Sequence, residues 1–338
     1  MKNENRKLTV SASPHVRSNE TVTGIMLDVI IALIPALVAS VYVFGFRSLA
    51  VVATCVATCV LSEYICRKVM KRNNTITDLS AVVTGILLAF NLPVSIPLWM
   101  AVIGSVVAIV VVKQCFGGIG NNFVNPALVG RIVLMCSFPT AMSSWVMPYA
   151  WKSTTDMLTT ATPLAEISTM FKAGDVSAQA FNANGALPSI GELMVGARQG
   201  CLGEVCAIAL IIGFLYLIIR RVISPVIPLT YIGTVAVIML IAGKGSVDFM
   251  LYEILSGGLL LGAIFMATDY TTSPINFKGK IVFAIGCGLI TCLIRLFGSL
   301  PEGVSFSIVI MNILVPHIEN LTFSKPFGTP KKQKEVKQ

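Results

Sequence analysis

The chain has 338 residues, of which 55% are hydrophobic and only 12% are charged. A soluble domain carries about 25% charged residues, so this composition excludes a soluble globular protein and indicates an integral membrane protein. The net charge of +9 does not indicate nucleic-acid binding, because the Lys and Arg residues lie in short runs beside apolar segments rather than among aromatic residues. Such runs are typical of the cytoplasmic flanks of transmembrane helices.

Ten apolar stretches are candidates for transmembrane helices. A helix that rises about 1.5 Å per residue needs about 17 to 20 residues to cross roughly 30 Å of hydrocarbon. The ten stretches are residues 25–44, 49–66, 79–92, 96–112, 123–142, 203–219, 226–243, 250–267, 279–297 and 303–321. The third is short and ends at Asn91-Leu92-Pro93, which predicts a broken or tilted helix. Residues 1–20 are polar and basic and run into the first stretch, so we expect no cleavable signal peptide. The sequence predicts an all-α integral membrane protein.

The two halves of the chain resemble each other. Phe116-Gly117-Gly118 ahead of Asn125-Pro126-Ala127 recurs 181 positions later as Phe297-Gly298-Ser299 ahead of Phe306-Ser307-Ile308. Each half has five predicted helices, and an odd number places the two copies in opposite orientations, as in many transporters. The predicted organisation is a tail at 1–24, a first repeat at 25–142, a polar loop at 143–202, a second repeat at 203–321 and a basic tail at 322–338.

The positions of Lys and Arg predict the orientation. With the N-terminus inside, 19 of the 25 basic residues fall on the cytoplasmic side, where such residues are retained. Both termini are then cytoplasmic and the loop at 143–202 is extracytoplasmic. The basic tail from Lys331 to Lys337 is either a solvated topology signal or a contact with anionic lipid or a cytoplasmic partner.

The nine cysteines contain no Cys-x-x-Cys pair. Most lie inside apolar stretches, where a thiol is more often a small buried side chain than a metal ligand. Cys201 and Cys206 could form a disulfide, but a spacing of five positions places them on different faces of a helix. His15 and His317 have no partners that suggest a metal. The sequence therefore predicts no metal site.

A glycine-rich motif, FGGIGNNFVNPALVGR, runs from Phe116 to Arg131. Gly117 and Gly118 let the backbone approach a ligand or another helix closely, and Asn125 and Pro126 form a helix start that leaves amide groups for an anion or a flavin edge. The motif is a candidate lining for a flavin cavity. Close helix packing in the membrane is the alternative.

Several acidic residues lie inside or beside apolar stretches. Asp269 follows Phe265-Met266-Ala267-Thr268, where we expect the eighth helix to break. An ionisable group at such a break indicates an ion pathway, because an unpaired charge in hydrocarbon is costly. The alternative is an interfacial carboxylate that caps a turn before Pro274. Further candidates for the pathway, each also compatible with an interfacial position, are Asp28, Glu63, Asp78, Glu204 and Glu253.

The polar loop contains the sequence DMLTTATPLAE, in which Asp156 is followed by Thr159, Ala161 and Thr162. The threonine hydroxyl is flanked by small residues on a polar segment, as a modifying enzyme requires. A Ser/Thr-rich surface loop that caps a helix would look the same.

This spacing resembles the flavinylation motif of membrane subunits from Rnf and Na+-translocating NADH:quinone reductase complexes, and the glycine-rich motif and Ala267-Thr268-Asp269 resemble the same family. Ser13-Pro14-His15, Ile34-Pro35 and Leu98-Trp99-Met100 extend the resemblance over nearly the whole chain. The short N-terminal region favours the Rnf member of the family, RnfD, over the quinone-reductase member, NqrB. A departure is Thr160, where glycine is frequent in the family.

The resemblance implies a fold similar to urea transporters, FMN attached through its phosphate to Thr162, and room for a second, non-covalent flavin such as riboflavin. It implies an electron-transfer subunit of an oxidoreductase coupled to Na+ or H+ translocation. The implied partners are an outer flavoprotein subunit, membrane iron–sulfur subunits, a cytoplasmic NAD-binding subunit, a flavin transferase and membrane lipid. A non-redox channel for a small solute is the rival function of another class.

Overall fold

The computed structural model describes residues 20–152, 162–173, 187–298 and 302–323, and within them the chain is helical without strands. The helices are α1 (Val22–Phe44), α2 (Phe46–Val69), α3 (Ser80–Phe90), α4 (Leu98–Val106), α5 (Pro126–Ser137), α6 (Pro139–Met142), α7 (Pro163–Lys172), α8 (Ile190–Val195), α9 (Ala207–Ile219), α10 (Val226–Ala242), α11 (Val247–Leu255), α12 (Leu259–Leu261), α13 (Phe277–Phe297) and α14 (Val304–Thr322). Wider π-helical turns extend α4 over Val107–Gln114 and α12 over Gly262–Met266.

Within the described residues, four helices are long and apolar enough to cross a membrane alone, namely α1, α2, α13 and α14. The bent pair Val247–Leu255 and Leu259–Met266 is a fifth candidate span, and α3, α4, α5, α9 and α10 are shorter apolar helices. Large apolar side chains such as Val38, Leu229 and Val237 are exposed on the outside of the bundle. These exposed faces fit lipid rather than water, which confirms an all-α membrane protein.

Two helix ends follow directly from the local sequence. Helix α3 ends at Phe90, immediately before Asn91-Leu92-Pro93, as the sequence predicts. Helix α5 begins where Asn125 caps it, its side-chain oxygen accepting from the Ala127 amide at 3.1 Å. Pro126 takes the first helical position, where its missing N–H costs nothing. The glycine-rich motif therefore ends in a well-capped helix start.

The sharpest bend lies where the sequence does not predict it. The expected break was at residues 265–269, but the helix simply ends at Met266 and Asp269 follows it. The bend of 64° falls between α11 and α12, at residues 256–258. Gly257 there has φ +69°, a conformation that glycine adopts at little cost.

Close packing at glycine holds α4 against α5. A Cβ added to Gly130 would lie 2.8 Å from the Gly104 carbonyl oxygen and 3.2 Å from Ala108 Cβ. Small residues let helix backbones approach closely in membranes. Contacts between α5 and α14 then join the first half of the chain to the second.

We predict that Gly130→Ala destabilises the protein by about 1–3 kcal/mol, because the added methyl overpacks a rigid backbone contact. The measurement is the thermal aggregation midpoint of the detergent-solubilised protein. The matched control is Gly233→Ala on α10, where nothing lies within 4 Å of the added Cβ. Equal midpoints for the two variants would contradict the packing argument.

Candidate functional site

Thr162 lies at the start of α7 and caps it. Its Oγ1 accepts a hydrogen bond from the Ala165 amide at 3.3 Å, and the residue is 9% exposed. Pro163 occupies the first helical position. Asp156, Thr159 and Ala161 of the candidate flavinylation motif lie outside the described residues.

Helix α7 packs on the bend between α11 and α12. A Cβ on Gly257 would meet Leu164 Cδ2 at 2.9 Å and Arg295 Nη2 at 3.2 Å. Further along α7, Phe171 stacks on Phe249 of α11 with ring centroids 5.7 Å apart. The helix that Thr162 begins is thus seated directly on the broken span.

Two buried arginines satisfy the backbone at this bend. Arg198 donates to the carbonyl oxygens of Leu255 and Glu204. Arg295 donates to the carbonyl oxygens of Glu253 at 2.5 Å and Ser256 at 3.5 Å. The last carbonyls of a helix lack intrahelical partners and attract positive charge, so the two side chains cap the end of α11.

Glu253, a candidate pathway residue, forms part of this cap. Its carboxylate pairs with Arg295 at 3.0 Å, and both side chains are almost fully buried. The pair neutralises the charge that Arg295 brings into the bundle.

A second buried charged cluster lies on the other side of the bend. Arg131 of α5 donates to Asn91 Oδ1 at 2.7 Å and forms an ion pair with Glu302. Glu204 Oε1 lies 3.7 Å from Arg131 Nη1, and Cys201 Sγ lies 3.6 Å from Nη2. A Cβ on Gly258 would lie 2.8 Å from Glu204 Oε1, so the bend residues contact this cluster directly.

The use of four basic residues as topology signals needs correction. Lys113 and Arg131, counted as cytoplasmic, and Arg198 and Arg295, counted as outer, are all buried with 3% exposure or less. Lys113, Arg131 and Arg295 form ion pairs inside the bundle and Arg198 donates to backbone carbonyls, so the four charges do not report on the membrane face. Because two come from each predicted side, the asymmetry among the remaining basic residues persists.

A cavity of about 520 Å³ lies at the end of the bundle where α12 ends. Its walls are mainly apolar, and its polar lining residues include Asp269, Asn125, Lys113 and Thr271. We call it the Asp269 cavity. Pro126 also lines it.

The candidate lining residues Gly117 and Gly118 lie in a neighbouring turn rather than in the wall. Their φ angles are +124° and +100°, and added Cβ atoms would meet Asn121 at 2.8 Å and the Arg67 guanidinium. Gly120 of the same motif is the glycine in the cavity lining. The two glycines therefore shape the turn that leads to Asn125.

Asp269 itself is held by its own turn. Its carboxylate accepts from the hydroxyls of Thr271 at 3.1 Å and Thr272 at 3.3 Å. The Asp269 carboxylate therefore stabilises the turn and also lines the cavity. From the sequence alone these two roles are alternatives.

Lys113, which sequence reasoning missed as a site residue, brings two of the candidate acids together. Its ammonium group donates to Glu63 Oε2 at 2.8 Å and to Ser80 Oγ at 2.6 Å. Ser80 Oγ in turn donates to Asp78 at 2.6 Å. The available signal was a glutamate inside one apolar stretch and a lysine directly after another.

Asp28 lies apart from this network. It accepts from the Tyr216 hydroxyl at 2.8 Å and pairs with Arg220 at 3.2 Å. The Arg220 side chain is 58% exposed, so the pair is partly solvated and contributes little stability.

We predict that Lys113→Met destabilises the protein by about 3–5 kcal/mol, because it leaves the Glu63 carboxylate buried without its cation. The double variant Lys113→Met/Glu63→Leu should recover most of the loss, since both charges are gone. Thermal midpoints of the single and double variants in detergent form the mutant cycle. Additive losses would contradict a direct pairing.

Comparison with known proteins identifies the family of the chain. A model of the NQR2, RnfD, RnfE family matches residues 9–328. The D subunit of the Na+-translocating ferredoxin:NAD+ oxidoreductase complex of Acetobacterium woodii is 49% identical over 98% of each chain. The D subunit of the proton-translocating ferredoxin:NAD+ oxidoreductase complex of Clostridium ljungdahlii is 43% identical over 95% of this chain and 96% of its own. The D subunit of the ion-translocating oxidoreductase complex of Stutzerimonas stutzeri is 35% identical over 91% and 92%. The chain therefore belongs to the NQR2, RnfD, RnfE family, as a membrane subunit of the RnfD type.

Proposed function

We propose that this chain carries FMN as a phosphoester on Thr162 and transfers electrons within an Rnf-type complex, between ferredoxin and NAD+, with coupled movement of Na+ or H+. The observation that carries the proposal is the Asp156, Thr159, Ala161, Thr162 spacing in a member of this family. The names of the relatives from Acetobacterium and Clostridium support the ferredoxin:NAD+ reaction.

The position of Thr162 fits a phosphate-linked group. It caps a helix of ten residues, and the amide groups and dipole at a helix N-terminus favour negative charge. A phosphoester oxygen at this position would accept from the same first-turn amides as the hydroxyl.

Flavin exchanges one or two electrons, and the protein contributes position and surrounding charge. Here α7 fixes Thr162 beside the bend, where Leu164 and Arg295 both lie close to Gly257.

The Asp269 cavity suits a second, non-covalent flavin such as riboflavin. Its volume of about 520 Å³ falls within the range of small-molecule sites, roughly 300–1,000 Å³. Its apolar walls match a flavin ring, and Asn125, Lys113 and Thr271 supply polar contacts. Pro126 completes the wall beside Asn125.

We further propose ten membrane spans in two inverted five-helix repeats, similar to urea transporters. The third stretch of the second half is bent at residues 256–258, and in the first half the helical path breaks at residues 91–97, between the third and fourth stretches. Arginine caps both breaks: Arg47 donates to the carbonyl oxygens of Val94, Ser95 and Ile96, as Arg198 and Arg295 do in the second half. In this arrangement the termini are cytoplasmic and the Thr162 loop is extracytoplasmic.

The proposed partners are an outer flavoprotein, membrane iron–sulfur subunits, a cytoplasmic NAD-binding subunit, a flavin transferase and lipid. NqrB, the homologous membrane subunit of a Na+-translocating NADH:quinone reductase, is the nearest alternative. A non-redox channel of the same fold is the more distant one, and covalent flavin separates it from both.

We expect Thr162→Ala to abolish covalent flavin while leaving membrane insertion intact, because the residue lies outside every span. After expression with a flavin transferase, the readouts are in-gel fluorescence under ultraviolet light and the peptide mass. Thr169→Ala, at an exposed position of the same helix, is the control and should remain fluorescent. An FMN mass on a residue other than Thr162, or none in the wild type, would refute the attachment.

Asp269→Asn should impair coupled ion uptake while the complex assembles and Thr162 stays flavinylated. Asn preserves the shape and the turn, since it also accepts from hydroxyls, but it removes the charge from the cavity. The assay is ferredoxin:NAD+ activity with ion uptake in vesicles, and Asp248→Asn in the first turn of α11 is the control. Normal uptake by Asp269→Asn would leave Asp269 only its turn-forming role.

A further inference from the structure

Buried polar groups continue from the Asp269 cavity into the bundle. Thr271 Oγ1 donates to Asp269 and accepts from Asn122 Nδ2 at 3.0 Å. Three residues later, Asn125 Nδ2 donates to the Met266 carbonyl oxygen at 3.3 Å. Asn122 and Asn125 are 7% and 3% exposed, so these contacts lie inside the protein.

The same polar chain reaches the Arg131 cluster. Asn91 Nδ2 lies 3.5 Å from Met266 Sδ, and Asn91 Oδ1 accepts from Arg131 Nη1 at 2.7 Å. Asn125 and Asn91 thus both contact Met266, and these buried polar groups lie between Asp269 at one end of the bundle and the two carboxylates beside Arg131. Buried polar groups are costly unless paired or functional.

The carboxylates around Arg131 outnumber the single cation that pairs with them. One guanidinium faces two carboxylates, Glu204 and Glu302. Glu204 is 2% exposed, yet its Oε1 accepts no hydrogen bond from the described residues. The nearby Arg198 does not fill this role, because its N–H groups are directed to backbone carbonyls.

The geometry defines a small site. One carboxylate oxygen of Glu204, one of Glu302 and Cys201 Sγ lie within 4.8 Å of one another. The thiol and two acids resemble a divalent metal site, but the guanidinium paired with Glu302 opposes a double positive charge. A monovalent cation, H+ or Na+, matches the charge that is present.

We propose that Glu204 and Glu302 bind the coupling cation at the end of this polar chain, with Arg131 as the tethered charge that pairs with them when the cation leaves. This site rests on the proposed function, since it presumes that the complex moves a cation. Arg131 prevents an open, permanently conducting path, because a fixed positive charge repels cations. Exchange between Arg131 and the cation lets the site fill and empty without leaving the carboxylates unpaired.

The test uses the full complex in vesicles with ferredoxin and NAD+. Uptake of 22Na+ and, in Na+-free buffer, lumenal acidification are measured per electron transferred. Glu204→Gln and Glu302→Gln should each lower uptake of the coupling cation at least tenfold, while Thr162 keeps its flavin. Glu319→Gln, at the opposite end of α14, is the control and should equal the wild type.

A graded variant separates binding from folding. Glu302→Asp keeps the charge but shortens the side chain by one methylene, which moves the carboxylate away from the site. The half-saturating cation concentration should therefore shift at least threefold. Unchanged uptake in both Gln variants overturns the site, and if those variants fail to assemble, an unchanged half-saturating concentration in Glu302→Asp overturns it. If the wild-type complex moves neither cation, the proposed function fails first and this site with it.

Discussion

The structure depends on how the carbonyl groups at the end of α11 are satisfied inside an apolar bundle. A span that bends by 64° leaves backbone acceptors without helical partners, and hydrocarbon offers no water to replace them. Arg198 and Arg295 supply the donors. Arg295 in turn pairs with the Glu253 carboxylate, and Arg198 also donates to the Glu204 carbonyl oxygen. The broken span and the buried charges therefore require each other.

The bend also lies between the two proposed sites, Thr162 and the cluster around Arg131. Gly257 contacts Leu164, two residues after Thr162, and Gly258 contacts Glu204. In the proposed function, a change of charge on a flavin at Thr162 would reach the Glu204 and Arg131 cluster across this one short segment. Reciprocal linkage follows, because a redox change that alters cation affinity must itself be altered by the cation.

Hydropathy alone predicted most of the helices, since the length of an apolar stretch is set by the membrane. The predicted 279–297 stretch lies within α13, and the end of α3 at Asn91 follows from proline and asparagine there. The bend at 256–258 was missed because residues 250–267 read as one continuous apolar stretch. Arg131 and Lys113 were misread because their partners, Glu302 and Glu63, lie 171 and 50 positions away, and charge counting does not detect pairing.

We infer that a flavin on Thr162 and a cation at Glu204 and Glu302 are energetically linked. A redox titration of the covalent flavin in the complete complex, at a series of Na+ concentrations and pH values, measures that linkage directly. We expect the midpoint potential of the flavin to shift with the concentration of the coupling cation, by up to about 59 mV per tenfold change in concentration for one electron and one cation. The shift should be smaller in Glu302→Gln. A wild-type potential that is the same at every Na+ concentration and pH would contradict the linkage.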